Sequence, residues 1–542
     1  MKKILFAISI ACALAFTACT DLTEQVYSSL TQSSYNYSPT DLRPVIVACY
    51  TPMRSYQSHT GLWAMDNTTT DVLVMPPNST GWDDGGRYRR MHYHSWNSEQ
   101  GEIASAWNAT WRGIGLCNNA LKQMEDNQLQ LDASALSAAT AELRALRAFY
   151  YYIVVDNWGD APLVTEPTQE LPSKTPRAEI YNFVVKELTE AIPALSDVQG
   201  GAQYGLMNKW AAYALLARTY INAEVYSGTA HWQDCINACD QIINSGKFQL
   251  SDNFKDNFVA NQSKIASNKE IIFAIPFDQS LGTGFSLHLF SWGAPIKNKF
   301  NIASTPWGSG SAMAIPQFVD TFDPDDGRID DSFLHGVQYK YGTTEPIKCI
   351  YDAINGVYPD LSYTKEIQSG NFNMEWEGYR MNKFEVLPST GGSLDADQPL
   401  FRYAEILLMK AECLLRLGQS GAGALVTQVR ARDFKNNPDK ATVTDEQLKQ
   451  NSSYKYGYYL EDYGKSIKEG DTSPIQFGRM YDEYKWEFVW EFGNRSRCIR
   501  FGVFTKKNWL SHEAKGEGVA LYPIPESALT PNPNLEQNPN YK

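Results

Sequence analysis

The chain has 542 residues, 43% of them hydrophobic, so it can bury a large core. Its formal net charge of −13 argues against nucleic acid or an anionic membrane surface as a partner. Its nine cysteines are scattered and include no CxxC pair, which argues against a disulfide framework and against a metal site. The 14 tryptophans, 31 tyrosines and 24 phenylalanines are a large aromatic load, which favours some exposed rings that stack on a neutral ligand.

The first nineteen residues have the pattern of a secretion signal. Two lysines precede an apolar run over 4–16, and Cys19 follows two small residues. The apolar run is too short to span a membrane as a folded helix. The pattern is similar to a bacterial lipoprotein signal, which predicts cleavage of residues 1–18 and lipidation of Cys19. An ordinary signal peptide with a chance cysteine is the alternative.

Helical periodicity dominates three parts of the chain, at about 40–58, 96–250 and 398–510. Small and apolar residues recur there at three- and four-residue spacing, which allows helices to pack closely. Paired amphipathic helices of this kind are typical of a tetratricopeptide-like scaffold, although no strict repeat period is visible. The predicted helices cover residues 96–124, 138–155, 175–195, 208–225, 231–245 and 402–417.

Two segments, about 60–95 and 280–394, have a different composition. They are rich in glycine, proline, asparagine, aspartate and aromatic residues, which predicts loops with short strands. A further strand is predicted at 270–277. Long irregular insertions in a compact protein are usually functional when their aromatic content argues against disorder. We therefore expect residues 19–542 to form one mainly α domain with a loop-rich, partly β ligand-binding face.

Four passages occur in a recognisable order along the chain. They are LRALRAFYYYIVVDNWGDAPLV (143–164), RYAEILLMKAECLLRL (402–417), WEFVWEFGNRSRCIRFGVF (486–504) and LYPIPESALTPNPNLEQNPNY (521–541). Together with the lipoprotein-like signal, they resemble the SusD/RagB family of outer-membrane lipoproteins. Trp486, Ala528 and Asn540 depart from the family pattern, at positions that concern packing and chain ends.

The resemblance implies a fold and a role. The fold is a tetratricopeptide-like, SusD-like helical scaffold. The role is that of a non-catalytic lipoprotein, anchored in the outer membrane and facing the cell exterior, with no cofactor. A lipoprotein with this role captures a polysaccharide or oligosaccharide and delivers it to a SusC-like TonB-dependent transporter. A peptide or glycoprotein ligand is one alternative, and a secreted glycoside hydrolase, which shares the aromatic richness, is another.

Three tryptophans are predicted to form a stacking platform for sugar rings. Trp82 lies in GWDDGG, Trp292 in FSWGAP and Trp307 in TPWGSG, and each is flanked by residues typical of exposed loops. The alternative for each is a buried ring, and this alternative is favoured for Trp63 and Trp96.

Four polar residues close to Trp82 in the sequence are candidates for hydrogen bonds to sugar hydroxyls. They are Asp66, Asn67, Asp83 and Arg87. The alternative is ordinary solvated loop charge. Tyr339 and Tyr341 are further candidates for the binding face.

Two passages resemble metal-site motifs without completing them. The acidic run at 323–331 has its glycine at the wrong position for a calcium loop and lacks the closing glutamate. His512 and Glu513 match the start of the HExxH zinc-site motif, but Gly516 occupies the place of its second histidine. The same acidic run is similar to a family Asp–Arg element, which implies a structural role for Asp326 and Arg328.

Overall fold

The computed structural model describes residues 37–260, 265, 267–308, 310–350, 356–367, 373–461 and 466–541. The predicted signal peptide at 1–18 and the predicted lipidation site Cys19 lie outside these residues. The fold is mainly α-helical with short strands, which confirms the predicted class.

The helices of the described residues include short turns as well as long elements. They are α1 (Leu42–Ala48), α2 (Leu62–Asn67), α3 (Arg87–His92), α4 (Gly101–Glu125), α5 (Ala133–Asn157), α6 (Arg177–Ala191), α7 (Lys209–Ile221), α8 (Ala223–Ser227), α9 (Trp232–Ile243), α10 (Leu287–Ser291), α11 (Lys297–Phe300), α12 (Pro316–Val319), α13 (Arg328–Ser332), α14 (Tyr403–Arg416), α15 (Ala422–Ala431), α16 (Asp445–Leu448), α17 (Gly478–Phe488), α18 (Asn494–Arg500) and α19 (Glu526–Leu529). The 3-10 helix Thr51–Gln57 connects the first two helices.

The longer helices pack in a continuous row. Helix α4 packs on α5, α5 on α6, α6 on α7, α7 on α9, α9 on α14, and α14 on α15. Small residues allow the close approach: a Cβ at Gly113 of α4 would lie only 2.2 Å from the Tyr150 ring of α5. Asp132 and Asn208 cap α5 and α7 by accepting hydrogen bonds from the first backbone N–H groups of these helices.

The predicted helix at 208–225 is divided in the structure. Helix α7 ends at Ile221 and α8 begins at Ala223, because Asn222 leaves helical geometry and donates its amide to Arg218 O (2.9 Å). The hydrophobic periodicity continues across this break, so the sequence pattern does not reveal it.

The strands are short and pair antiparallel in the described residues. They are β1 (Leu73–Val74), β2 (Ile271–Ile275), β3 (Met313–Ala314), β4 (Phe333–Leu334), β5 (Gly336–Val337), β6 (Ser362–Tyr363), β7 (Arg380–Met381), β8 (Gln398–Arg402), β9 (Tyr458–Glu461) and β10 (Ser466–Glu469). The pairs are β1–β3, β2–β8, β4–β7, β5–β6 and β9–β10. Strand β2 falls within the predicted strand at 270–277, and β1–β3 joins the two loop-rich segments.

A cluster of buried charges joins the strand–helix boundary at Arg402 to α17. Arg402 donates to Glu270 (2.6 Å), to Glu487 (2.9 Å) and, through two nitrogens, to Glu491 (2.8 Å each). Arg328 and Arg432 also donate to Glu487. All these side chains are buried, so the two family-like blocks at 402–417 and 486–504 are connected through charge-assisted hydrogen bonds.

No helix in the described part of the chain has both the length and the apolar character needed to cross a bilayer.

Candidate functional site

Trp82 is presented by a tight loop built around Asn78. The Asn78 side-chain oxygen accepts from the backbone N–H of Thr80 (3.2 Å) and of Trp82 (3.3 Å), and Asn78 N donates to Trp82 O (3.0 Å). The Trp82 ring is partly buried and stacks on Tyr88 with ring centroids 5.5 Å apart and an interplanar angle of 26°. The loop therefore fixes the ring against a buried aromatic floor while part of it stays open to solvent.

Trp307 is the second exposed tryptophan of this region. Its side chain is 38% exposed, and its ring packs edge-on against His59 (centroids 4.8 Å apart) and beside Phe290 (6.1 Å). Its backbone N–H donates to Leu289 O (2.8 Å). Because neighbouring rings hold Trp307 on its inner side, it has little freedom to turn away from the surface.

The structure brings the Trp82 and Trp307 loops together. A Cβ at Gly308 would lie 2.5 Å from the Thr80 hydroxyl oxygen, so the loops abut at a position where only glycine fits. His59 completes the junction, because its carbonyl accepts from the Tyr88 hydroxyl (3.1 Å) while its ring contacts Trp307. We call Trp82, Tyr88, His59 and Trp307 the aromatic platform.

The charged residues beside the platform are engaged in ion pairs. Asp83 accepts from Arg89 (2.7 Å), and Arg87 lies 3.1 Å from Asp84 and 3.3 Å from Glu102. The Asp83 and Arg87 side chains remain about one third exposed, at 36% and 34%. They are oriented by their partners and still accessible, which suits them to bind polar groups of a ligand.

His59 is neutral at physiological pH. Burial lowers the pKa of His59 to about 4, and the nearby Asp84 and Arg87 have opposing effects on this pKa. The Nδ1 atom of His59 is buried and has no hydrogen-bond partner among the described residues. The platform therefore carries no cation of its own at neutral pH.

The prediction that Trp292 is exposed is wrong. The ring is fully buried, stacks on Phe300 at 4.4 Å with an interplanar angle of 4°, and donates its Nε1–H to Met381 O (2.6 Å). Its donor is satisfied and its faces are covered, so Trp292 supports the loop from below and cannot form part of a surface platform.

Asp66 and Asn67 are also core residues, contrary to the prediction. Asp66 accepts from the backbone N–H groups of residues 493, 494 and 495 (2.6, 3.1 and 3.2 Å), so it caps the start of α18. Burial raises the pKa of Asp66 to about 6, and the nearby negative charge of Asp156 contributes to this increase. Asn67 is fully buried and donates to two backbone carbonyl groups. Neither side chain reaches a ligand on the surface.

The structure also gives the environment of the remaining residues for which the sequence makes a prediction. Tyr339 and Tyr341 are 43% and 56% exposed, and Tyr341 N donates to Asn298 O (2.8 Å). Trp63 and Trp96 are buried, as expected. The Asp326–Arg328 pair is buried at 2.7 Å, which supports its structural role. His59 and Tyr88 were missed, since nothing in their local sequence distinguishes them.

No group of three or more histidine, cysteine, aspartate or glutamate side chains in the described ranges is arranged to hold a metal ion.

Comparison with known proteins identifies the family. Residues 30–221 match a family described as "Starch-binding associating with outer membrane", and residues 269–516 match the SusD family. The chain belongs to the SusD/RagB family. The starch-binding protein SusD of Bacteroides thetaiotaomicron is 27% identical over 449 residues, which cover 74% of this chain and 72% of that protein.

Solved structures share the fold. NanU of B. fragilis superimposes with a TM-score of 0.71 at 19% identity, covering 95% of this chain and 99% of that one. Surface glycan-binding protein A from Bacteroides uniformis gives a TM-score of 0.68 at 17% identity, covering 93% of this chain and all of that one. This SusD-like protein therefore keeps the family fold despite low sequence identity.

Proposed function

We propose that this SusD-like protein captures a polysaccharide or oligosaccharide at the cell surface and delivers it, without cleaving it, to a SusC-like TonB-dependent transporter. The observation that carries the proposal is the aromatic platform, in which two partly exposed tryptophans are carried by loops that are distant in sequence and abut in the structure. The starch- and glycan-binding names of similar proteins support a carbohydrate ligand.

The platform suits the flat apolar faces of sugar rings. Covering about 60 Å² of apolar sugar surface on one tryptophan is worth about 1.5 kcal/mol, or about tenfold in affinity. One ring alone therefore binds weakly. Two rings that contact successive units of one chain act together, because the second contact forms at a high effective concentration.

The polar groups around the platform favour a neutral ligand. Asp83 and Arg87 carry opposite charges, and each is partly neutralised by its own ion-pair partner. Such groups accept from and donate to hydroxyls without requiring a charged ligand. The Asp83 and Asp84 carboxylates are held in ion pairs with Arg89 and Arg87. We therefore assign them to binding and not to glycosidic bond cleavage, which needs two carboxyl groups across the scissile bond.

The cellular location in the proposal rests on the sequence and on the family. Cys19 would carry the lipid anchor in the outer membrane, with the folded domain facing the cell exterior. More than one acyl chain on a terminal cysteine gives stable anchoring. The family description, which links starch binding to the outer membrane, supports this location.

The glycan proposal is tested by native affinity electrophoresis of residues 20–542 against plant and microbial polysaccharides. We expect retardation by at least one neutral glycan, weakened about tenfold by Trp82→Ala and by Trp307→Ala. Trp232→Ala, which removes a partly buried tryptophan on α9 outside the platform, is the matched control and should bind normally.

Each outcome decides a separate part of the proposal. Retardation that both platform variants retain would keep the function and refute the platform. Failure of the unaltered protein to bind any glycan would refute the function and favour a peptide or glycoprotein ligand. Release of reducing sugar from the retarding glycan would indicate a hydrolase.

The anchor and the transporter are tested in the native membrane. Cys19→Ala should abolish incorporation of labelled palmitate and release the protein from the outer-membrane fraction. Pull-down of the lipidated protein from detergent-solubilised outer membrane should recover a TonB-dependent transporter. Recovery of the protein without any such transporter, under conditions that preserve other outer-membrane complexes, would contradict the delivery step.

A further inference from the structure

A separate cavity of about 590 Å³ lies between α4, the loop at 162–172 and the C-terminal residues 528–535. It shares no residue with the aromatic platform. Its volume falls within the usual range for small-molecule sites, about 300–1,000 Å³. The cavity is therefore large enough for a short saccharide and too small for a folded partner.

Two tryptophans on successive turns of α4 form the apolar floor of this cavity. The rings of Trp107 and Trp111 lie 5.3 Å apart with an interplanar angle of 47°. Trp158 packs edge-on against Trp107 (5.1 Å), and Tyr151 packs edge-on against Trp111 (6.2 Å). These contacts fix both rings before any ligand arrives, which reduces the entropy cost of binding.

The loop that forms the opposite wall is held at both ends. The Tyr151 hydroxyl donates to Val164 O and accepts from Val164 N (2.7 Å each). At the other end, the Asn532 amide donates to Pro172 O (2.8 Å). The intervening residues 166–170 are exposed and line the cavity. Because both ends of the loop are hydrogen-bonded, these residues are held close to the cavity.

The rim of the cavity carries polar side chains that are not engaged elsewhere. Glu166, Gln169, Glu170 and Asn119 line the cavity and make no side-chain hydrogen bond to another described residue. No lysine, arginine or histidine of the described ranges lines it. Arg147 lies behind the lining, where it donates to Asn118 Oδ1 (2.9 Å) and is paired with Glu187. A lining with two carboxylates and no cation disfavours an anionic ligand, whereas carboxylates and amides together suit the hydroxyl groups of a neutral sugar.

We propose that this cavity, which we call the α4 pocket, is a second binding site for a neutral saccharide of one to three units. The Trp107 and Trp111 rings bind its apolar face, and the rim residues of 166–170 bind its hydroxyls. The pocket is formed without the aromatic platform, so this proposal stands or falls separately from the proposed function.

The test uses residues 20–542 carrying Trp82→Ala and Trp307→Ala, which remove the platform. Glucose, maltotriose, cellotriose, laminaritriose and mannotriose are titrated by calorimetry and by the indole N–H signals of protein labelled with [¹⁵N]tryptophan. We expect at least one sugar to bind saturably and to shift the Trp111 signal, which is assigned with Trp111→Phe.

Variants of the floor and of the exposed rim test the α4 pocket, and the rim variants are not expected to affect folding. In the platform-free background, Trp111→Ala should weaken sugar binding about tenfold. Gln169→Ala and Glu170→Ala, which change exposed loop side chains, should weaken it severalfold with no change in thermal stability. Glu125→Ala, an exposed acid near the other end of α4, is the matched control.

The outcomes separate the two proposals. Undiminished sugar binding by Trp111→Ala, or sugar binding that leaves the Trp111 signal of the platform-free protein unmoved, would overturn the α4 pocket. The absence of any binding to the platform-free protein would also overturn it, even if the unaltered protein binds glycan. A Trp111 shift caused only by an added peptide library would overturn the saccharide assignment in favour of a peptide.

Discussion

Glu487 lies at the centre of the buried charge cluster, and neutralising it should destabilise the whole fold. Its carboxylate accepts from Arg402 (2.9 Å), Arg328 (3.2 Å) and Arg432. Burial alone would raise the pKa of Glu487, but these three arginines outweigh burial and hold that pKa below its ordinary value. Glu487→Gln keeps the shape of the side chain and leaves the arginines with less compensating charge in the core.

The cost of this substitution can be bounded from the geometry. Removing one partner of a buried ion pair costs about 3–5 kcal/mol, and glutamine retains one acceptor, so we expect about 3 kcal/mol. This is a large share of a typical folding stability of about 5–15 kcal/mol. Urea titration followed by far-UV circular dichroism measures the change in the free energy of unfolding.

The pH dependence provides a second check on the same reasoning. Because the folded-state pKa of Glu487 is lowered from 4.5, its stabilising effect is fully present above pH 4.5 and is lost as the pH falls further. The difference in the free energy of unfolding between the unaltered protein and Glu487→Gln should therefore shrink in acid. Glu125→Gln, in an exposed pair with Lys122, should leave the urea midpoint unchanged. A Glu487→Gln midpoint equal to that of this control would refute the reasoning.

Three further predictions concern buried side chains. Burial lowers the histidine pKa to about 4 at positions 59, 92 and 288, to about 3 at 94 and well below 6.5 at 512, so these five imidazole signals should not titrate by NMR between pH 8 and 5.5. A midpoint near 6.5 for any of them would contradict its burial. The thiols at 49, 117, 235, 239, 349, 413 and 498 are buried, so they should react with Ellman's reagent only after denaturation, and rapid native labelling would disprove this packing. Trp292→Ala should lower stability by about 3–5 kcal/mol in urea titration, whereas Trp307→Ala should lower it far less; equal effects would place both rings in the same environment.

The helical scaffold could be predicted because its signal is local. Helices α5 and α14 have small residues at three- and four-residue spacing, and the structure has helices at these places. The Asn222 break was missed because the same periodicity continues through α8. Hydrophobic spacing indicates which face of a helix is buried, but it does not report a single residue that leaves helical geometry.

The errors in the site prediction have a different cause. Trp292 follows a short apolar run and precedes Gly293, which is typical of an exposed loop, yet Met381, 89 residues later, accepts its N–H. Asp66 appeared to belong to the loop of Trp82, yet it caps a helix that begins more than 420 residues later. Burial in these cases is imposed by distant parts of the chain, which local composition cannot show.

The partners of the exposed rings were equally hidden from the sequence. The exposure of Trp82 was predicted from the glycines and acids around it, and that of Trp307 from its loop-rich segment and the glycine that follows it. The contact between their loops, at Thr80 and Gly308, accompanies the pairing of β1 with β3, whose residues are about 240 positions apart. Loop composition therefore identified three candidates for one platform, of which Trp292 is buried, but it could not show which contacts bring the loops of Trp82 and Trp307 together.

A chain of buried rings links the family-like block at 486–504 to the platform. Trp490 stacks on Trp63 with an interplanar angle of 5°, Trp63 packs edge-on against Phe290 (5.3 Å), and Phe290 lies beside Trp307 (6.1 Å). The orientation of the exposed ring is thus set by core packing that extends to the helices of the scaffold. A ring positioned in this way loses little side-chain entropy when a ligand stacks on it. This arrangement suits the proposed binding of a flexible glycan, because the loops supply the rings and the core supplies the rigidity.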